Sequence, residues 1–463
     1  MRGALIPSGS SCLTRRPLRH GLGEGAWRTR RQARGLALAF AFAAFLPLTG
    51  NASALPAFPG AEGFGANTPG GRGGKVIRVT NLKPSGAGSL QAACSTPGPR
   101  VVVFAVSGVI RGDVTITQPY ITIAGQTAAG AGVTINGRLL TAYTPERPVH
   151  DVVVRHLRVR AQPGLGNQGD CVQFSIVNNA ILDHISCSWA EDETIDLFTR
   201  ATHVTLQWST IEEPAITDES GGGHHYGLIT GRNSNRISVH HNLFAHAKRR
   251  NPSFGSGPAD FRNNVVYNFR DGLSHEGNYQ DPGFNIIGNY YQRGPSDPDI
   301  FPFCFDNEVS YYLRDNYVAG IGLIQDPWAE AGKLYGLRYY RDRGVKQEEE
   351  TPVAPVTTHA PQEAYQLVLA RAGCFPRDVV TKRVVHEVRT GTGSWGRHDP
   401  KSLLEGLRPQ RAPLDSDGDS MPDAWEKAHR LNPHGDDSAK VLPSGYTAIE
   451  QYINEVADRL VLL

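Results

Sequence analysis

The chain has 463 residues, 40% of them hydrophobic and 20% charged, and a formal net charge of +2. That length can bury a large core, either as one elongated domain with small appendages or as several compact ones. The first 54 residues hold eight Arg and one Glu, so setting them aside takes seven positive charges from +2 and leaves a net charge near −5. Such a balance excludes a general attraction to polyanions and argues against a nucleic-acid partner; an acidic polymer would have to be held by local Arg side chains and bound cations.

In chain order, Arg30-Arg31 precede the apolar run GLALAFAFAAFLPLTG, and Ala52-Ser53-Ala54 follow it. This order predicts a signal peptide over 1–54, cleaved after Ala54, and hence a secreted protein, extracellular or periplasmic. The apolar run is 16 residues long, short of the roughly 20 that a membrane-spanning helix needs. Past the leader, Cys94, Cys171, Cys187, Cys304 and Cys374 are odd in number and irregularly spaced. Export permits a disulfide, buried free thiols are the alternative, and the spacing selects no pair.

Short β-branched strands dominate the middle of the chain. They begin with VVVRHLRVRA, AILDHISCSW and HVTLQWSTI, and continue as four strands that share an Asn, at Asn242, Asn264, Asn289 and Asn316, spaced 22, 25 and 27 residues apart. One strand per 20 to 30 residues predicts an all-β solenoid, a parallel β-helix in which each coil covers the next. The stacked Asn residues would then form an internal amide ladder. After Gly320 the strand pattern fades. QEEETPVAPVTTHAP reads as a linker or surface loop, and PQEAYQLVLARAG as a helix packed on the solenoid's side and stopped at Gly373.

Near the C-terminus, DSDGDSMPDAWE places Asp415, Asp417, Asp419, Asp423 and Glu426 at positions 1, 3, 5, 9 and 12 of an EF-hand-like loop. Hard oxygens at that spacing suit a structural Ca²⁺. The segment resembles the dockerin-like or thrombospondin-like repeats of secreted polysaccharidases, although Ser420 stands where the turn favours Gly. Its expected second repeat is degenerate at Ala439, Val441 and Pro443. The organisation predicted is a leader over 1–54, a β-helix over 55–320, an extension and linker over 321–412 and a calcium-binding helical segment over 413–463.

The stretch VHHNLFAHAKRRNPSFGSGPADFRNNVVYNF, Val239 to Phe269, sets Arg250-Asn251-Pro252 between His240-His241-Asn242 and Asn263-Asn264. It resembles the active-site strand of the pectate lyase family. AEGFGANTPGGRGGKVIRVTNL, GAGSLQAACSTPGPRVVVFAVSGVI, ITIAGQTAAGAGVTI and DHISCSW occur upstream in the order that family uses, so the resemblance covers roughly Phe58 to Gly320. It implies a right-handed β-helix with an N-terminal helical cap. It also implies a monomeric lyase that cleaves polygalacturonate, or pectin, by β-elimination with Ca²⁺.

On the same resemblance, Asp170, Asp192 and Asp196 hold the catalytic calcium, with Glu191 and Glu193 flanking and able to substitute. Arg250 is the base, Lys248 and Arg249 contact substrate carboxylates, and His224 and His225 lie where a further substrate-contacting cation sits. Asp183 and His184 read as polar residues bridging coils. Gln168 replaces one family Asp, and Gly255 replaces the second Arg of an RxPxxR element. A four-histidine zinc site from His224, His225, His240 and His241 is disfavoured, because adjacent strand residues face opposite ways. Two rival readings are a polygalacturonase-like hydrolase with paired carboxylates and a non-catalytic polysaccharide-binding β-helix.

Overall fold

The computed structural model describes residues 55–166, 169–216, 224–231, 233–280, 283–305, 309–330 and 344–462. The predicted leader over 1–54, Gln168 and the glycine run 221–223 lie outside the described residues.

Three sheets of eleven, ten and eight strands span Lys75 to Lys346, parallel throughout except where Gly322–Ile324 turns back on Asn316–Val318, and strands pass from one sheet to the next along the chain. This is a parallel β-helix. In-register pairing stacks like on like, as in the column Val154, Leu182, Leu206, Val239, Phe261 and Ile286 of the eleven-stranded sheet. All six side chains are fully buried, each contributing about 1.5–3 kcal/mol relative to exposure. The solenoid runs past its expected end at Gly320, because Val345–Lys346 pairs with Ser310–Arg314.

The Asn residues form the anticipated ladder. Asn242 donates to Asn264 at 3.0 Å, Asn264 to Asn289 at 3.2 Å, and Asn289 to Asn316 at 3.0 Å. The Oδ1 atoms of Asn264, Asn289 and Asn316 also accept the backbone N–H of the preceding ladder residue, that of Asn242 accepts the Ser209 N–H, and each amide donates to a strand carbonyl one coil back, so these buried groups are satisfied. The residue before each ladder Asn has positive φ, as at His241, Asn263 and Asp315, which is the sharp turn that the ladder holds.

At the N-terminal end, the helix Leu90–Ser95 buries Leu90, Ala93 and Cys94 in the solenoid core. The buried Arg100 guanidinium binds that helix's Ala93 and Cys94 carbonyls at 2.7 and 2.9 Å, filling acceptors that a helix end leaves open. The glycine-rich run before the first strand lies flat on the eleven-stranded sheet. A Cβ at Gly65 would sit 2.1 Å from the Ala180 carbonyl oxygen, and one at Gly71 1.8 Å from that of Arg100, so only Gly fits.

The anticipated helix forms over Pro361–Arg371. A second, Val379–Thr390, is capped by the Asp378 side chain and ended by Gly391 at φ 71°. Val368, Leu369, Val384 and Val388 of these helices pack on Leu243, Ala245, Val265 and Tyr267 of the ten-stranded sheet. The presumed linker is pinned rather than free. Thr351 exchanges hydrogen bonds with Asn285 at 2.8 and 2.9 Å, and His359 N–H donates to Asn263 at 2.8 Å.

Residues Ser53–Leu463 make one compact unit. The C-terminal segment shares it, with Met421, Trp425, Ile449 and Ile453 packed against Val101, Val103 and Ala124 of the eleven-stranded sheet. Neither helical attachment buries its apolar side chains on the eight-stranded sheet. Cys94, Cys171, Cys187, Cys304 and Cys374 are buried free thiols.

Candidate active site

The eight-stranded sheet carries the chemistry. Its strands Val172–Gln173, Glu193–Leu197 and Tyr226–Thr230 are neighbours, with Gln173 opposite Asp196 and Glu193 opposite Tyr226. Tyr226 is bridged in turn to Arg249. This register gathers Asp170, Asp192, Glu193, Tyr226 and Arg250, drawn from four successive coils, onto one sheet.

Asp170, Asp192 and Glu193 bring carboxylate oxygens within 4.8 Å of one another. Burial, then the charges of Asp196 and Asp192, push Asp170 up to about 9. Three crowded carboxylates without an equal countercharge are the donor set of a hard divalent cation, so the residues present fit Ca²⁺. Asp196 is tied down locally: its Oδ1 accepts from Phe198 N–H at 2.5 Å and its Oδ2 from Gln173 at 3.3 Å. Burial, together with Asp192, raises it to about 6. Gln173 also donates to Asp170 at 3.2 Å, and so bridges the two acids. Glu191 does not join the cluster, because its carboxylate accepts the backbone N–H groups of Gly164, Leu165 and Gly166 at 2.7–2.8 Å.

Arg250 leaves the turn before the strand Ser253–Ser256 with φ 58°. Its guanidinium lies 4.0 Å from the centroid of the Tyr226 ring and is paired with Glu193. One carboxylate therefore belongs to both the acidic cluster and the arginine. Arg249 pairs with Asp271 at 3.1 Å while its side chain stays 46% exposed. Lys248 lies 5.3 Å from the ring centroid of Trp395, which arrives from the C-terminal extension. Burial and the nearby cations Arg249 and Arg270 hold Lys248 below the usual lysine range.

His224 is paired through Nδ1 with Asp192, so it belongs to the acidic cluster. His225 is buried without a hydrogen-bond partner at either ring nitrogen. Burial, Lys248, Arg249 and His224 pull it down to about 4. A ring buried in this way is not exposed for contact with a substrate, which departs from its expected role. His240 and His241 lie apart from this pair and bond to each other at 2.9 Å, while His241 also contacts His359 at 3.0 Å. Asp183 does bridge coils, accepting from Arg155 and Gln207 at 2.8 Å each.

The Gly255 departure has a steric cause. A Cβ there would stand 2.5 Å from the Gly231 carbonyl oxygen, so no arginine fits without moving the backbone. Sequence reasoning passed over Gln173, Asp271 and Trp395. Gln173 lies three residues beyond Asp170, which was a usable signal; nothing local marks the other two.

Coiled parallel sheets with a carboxylate cluster beside an arginine define a parallel β-helix with a candidate catalytic face. The chain belongs to the pectate lyase family. It is 35% identical over 418 residues to a probable pectate lyase C of Aspergillus fumigatus, covering 87% of this chain and 94% of that protein. It is also 35% identical over 445 residues to a probable pectate lyase C of Aspergillus terreus, covering 90% and 98%. Among solved structures, the thermostable pectate lyase PL 47 matches with a TM-score of 0.52 at 15% identity, over 69% of this chain and 98% of that one. The cedar-pollen major allergen jun a 1 matches with a TM-score of 0.50 at 19% identity, over 68% and 92%. Identities that low speak to the fold alone. No family model matches the chain.

Proposed function

We propose that the protein is a secreted, calcium-dependent pectate lyase that cleaves α-1,4-linked polygalacturonate by β-elimination and releases 4,5-unsaturated oligogalacturonates. The observation that carries this reading is the shared carboxylate of Glu193, which joins Arg250 to the cluster of Asp170 and Asp192. The family relationship supports it, and the composition of residues 1–54 supports export.

Elimination requires removal of the C5 proton, stabilisation of the charge left behind and expulsion of O4. Calcium held by Asp170, Asp192 and Glu193, with Asp196 behind them, would bind the uronate carboxylate and acidify the neighbouring C5 proton as a Lewis acid. Arg250 takes that proton. The Tyr226 face beneath its guanidinium holds it in position. A guanidinium titrates above about 12 in ordinary surroundings, so base duty needs the neutral form of Arg250, which the charge of bound calcium, together with Lys248 and Arg249, would favour against the pairing with Glu193. The same two cations pair with uronate carboxylates along the chain. Gln173 keeps Asp170 and Asp196 in register.

The reading is tested by incubating the protein with polygalacturonate, with and without Ca²⁺, and following the ultraviolet absorbance of the conjugated C4=C5 product. Calcium-dependent absorbance is the expected result. Reducing ends without absorbance would identify a hydrolase, and neither signal a binding protein.

A further inference from the structure

The C-terminal acidic loop holds a second candidate ion site with a different task. Asp415, Asp417 and Asp419 place carboxylate oxygens within 4.8 Å of one another. Glu426, in the short helix Asp423–Ala428, is fully buried, and neither of its carboxylate oxygens has a hydrogen-bond partner. Asp417 Oδ2 is likewise buried and unpartnered. Bare buried carboxylate oxygens are costly unless something answers them. Glu426 stands three residues after Asp423 on one face of that helix, and Asp423 is bonded to Ser416 within the acidic loop, so the Glu426 carboxylate adjoins the loop. Asp423 is differently occupied: its two oxygens accept the backbone N–H and the hydroxyl of Ser416, each at 2.8 Å. It shapes the loop and leaves the ligand set, which corrects its expected role.

The same loop is fastened to the solenoid's first strands. Asp415 accepts from Arg78, in the strand Lys75–Val79, at 2.9 Å. Met421 and Trp425 pack against Val101 and Val103 of the adjoining strand. Asp419 Oδ2 accepts the Asp437 N–H at 3.2 Å, closing the segment on itself.

We propose that Asp415, Asp417, Asp419 and Glu426 bind a hard divalent cation of the Ca²⁺ class, and that this ion braces the C-terminal segment over the first strands of the β-helix. A set made only of carboxylate oxygens, without nitrogen or sulfur, selects Ca²⁺ over Zn²⁺. The ion answers the bare oxygens of Glu426 and Asp417, and the loop it orders carries the Arg78 contact and the Met421–Trp425 face.

The test uses the full chain carrying Asp170→Asn and Asp192→Asn, so that the groove does not contribute. Equilibrium dialysis with radiolabelled calcium should find one ion per chain, and adding Glu426→Gln or Asp417→Asn should remove it. Calcium should raise the thermal midpoint and slow amide exchange over Lys75–Val79 and Arg100–Phe104 in the parent but not in these variants. Without calcium, Glu426→Gln should melt at or above its parent, because it deletes a charge from a crowded acidic set. Undiminished calcium binding by both variants would overturn the site, as would a Glu426→Gln chain that melts lower than its parent without calcium. Calcium binding that leaves exchange in the two strands unchanged would overturn the brace.

Discussion

The two acidic clusters are built in opposite ways. Asp170, Asp192 and Glu193 come from successive coils and meet only because parallel pairing sets Val172 beside Ile195 and Glu193 beside Tyr226. Asp415, Asp417 and Asp419 alternate within five residues and need no other part of the fold to meet. The first cluster lies beside Arg250, Lys248 and Arg249, with Asp170 and Glu193 buried; the second has Asp415 and Asp417 only partly buried and sits on a segment whose Met421 and Trp425 pack against the eleven-stranded sheet. Carboxylates next to cations suit a cation that must also touch a substrate, whereas carboxylates on a segment packed against the solenoid suit a cation that holds structure.

The comparison breaks most visibly with metal removal. Excess chelator should reduce product absorbance to background, since both the substrate carboxylate and the C5 proton depend on the groove cluster. Full activity in chelator would remove the elimination mechanism. Next in size, Asp170→Ala or Asp192→Ala should raise the calcium concentration for half-maximal rate by at least about tenfold, or about 1.4 kcal/mol. Glu426→Gln should leave that concentration unchanged, and equal shifts from the two clusters would erase the division between them. Asn264→Ala should cost about 2–4 kcal/mol of unfolding free energy in urea, independent of calcium, because it orphans the buried Asn242 backbone N–H and one of its two amide hydrogens. Arg138→Ala at the partly exposed pair with Asp113 should cost under about 1 kcal/mol in the same assay.

Local sequence made some of this legible and left the rest to register. The Asn ladder could be read because identical residues at near-constant spacing stack in a parallel solenoid, whatever the loops between them do. Asp170, Asp192 and Arg250 could be singled out as candidates from their motifs, and the fold brings them near one another. The pairing of Glu193 with Arg250 could not, since it spans 57 residues and depends on which strands adjoin. Trp395 reaches Lys248 only because the extension folds back over the coils. The helix Val379–Thr390 did leave a signal that went unused, an Asp378 cap and a Gly391 stop around apolar residues at helical spacing. The C-terminal segment reads as a separate calcium-binding segment because its acidic residues lie close together in sequence, yet its apolar face is completed by Val101, Val103 and Ala124 from the far end of the chain.

The assignment of Arg250 as the group that acts on the C5 proton is tested most directly by Arg250→Lys. Its rate of unsaturated-product formation should be measured at saturating calcium and polygalacturonate, with calcium binding and thermal midpoint measured on the same preparation. The expected result is a loss of well over tenfold in kcat, beyond about 1.4 kcal/mol of transition-state stabilisation, with calcium binding and folding retained. A variant that keeps more than about a tenth of the wild-type kcat would contradict the assignment and place Arg250 in a supporting role beside Glu193.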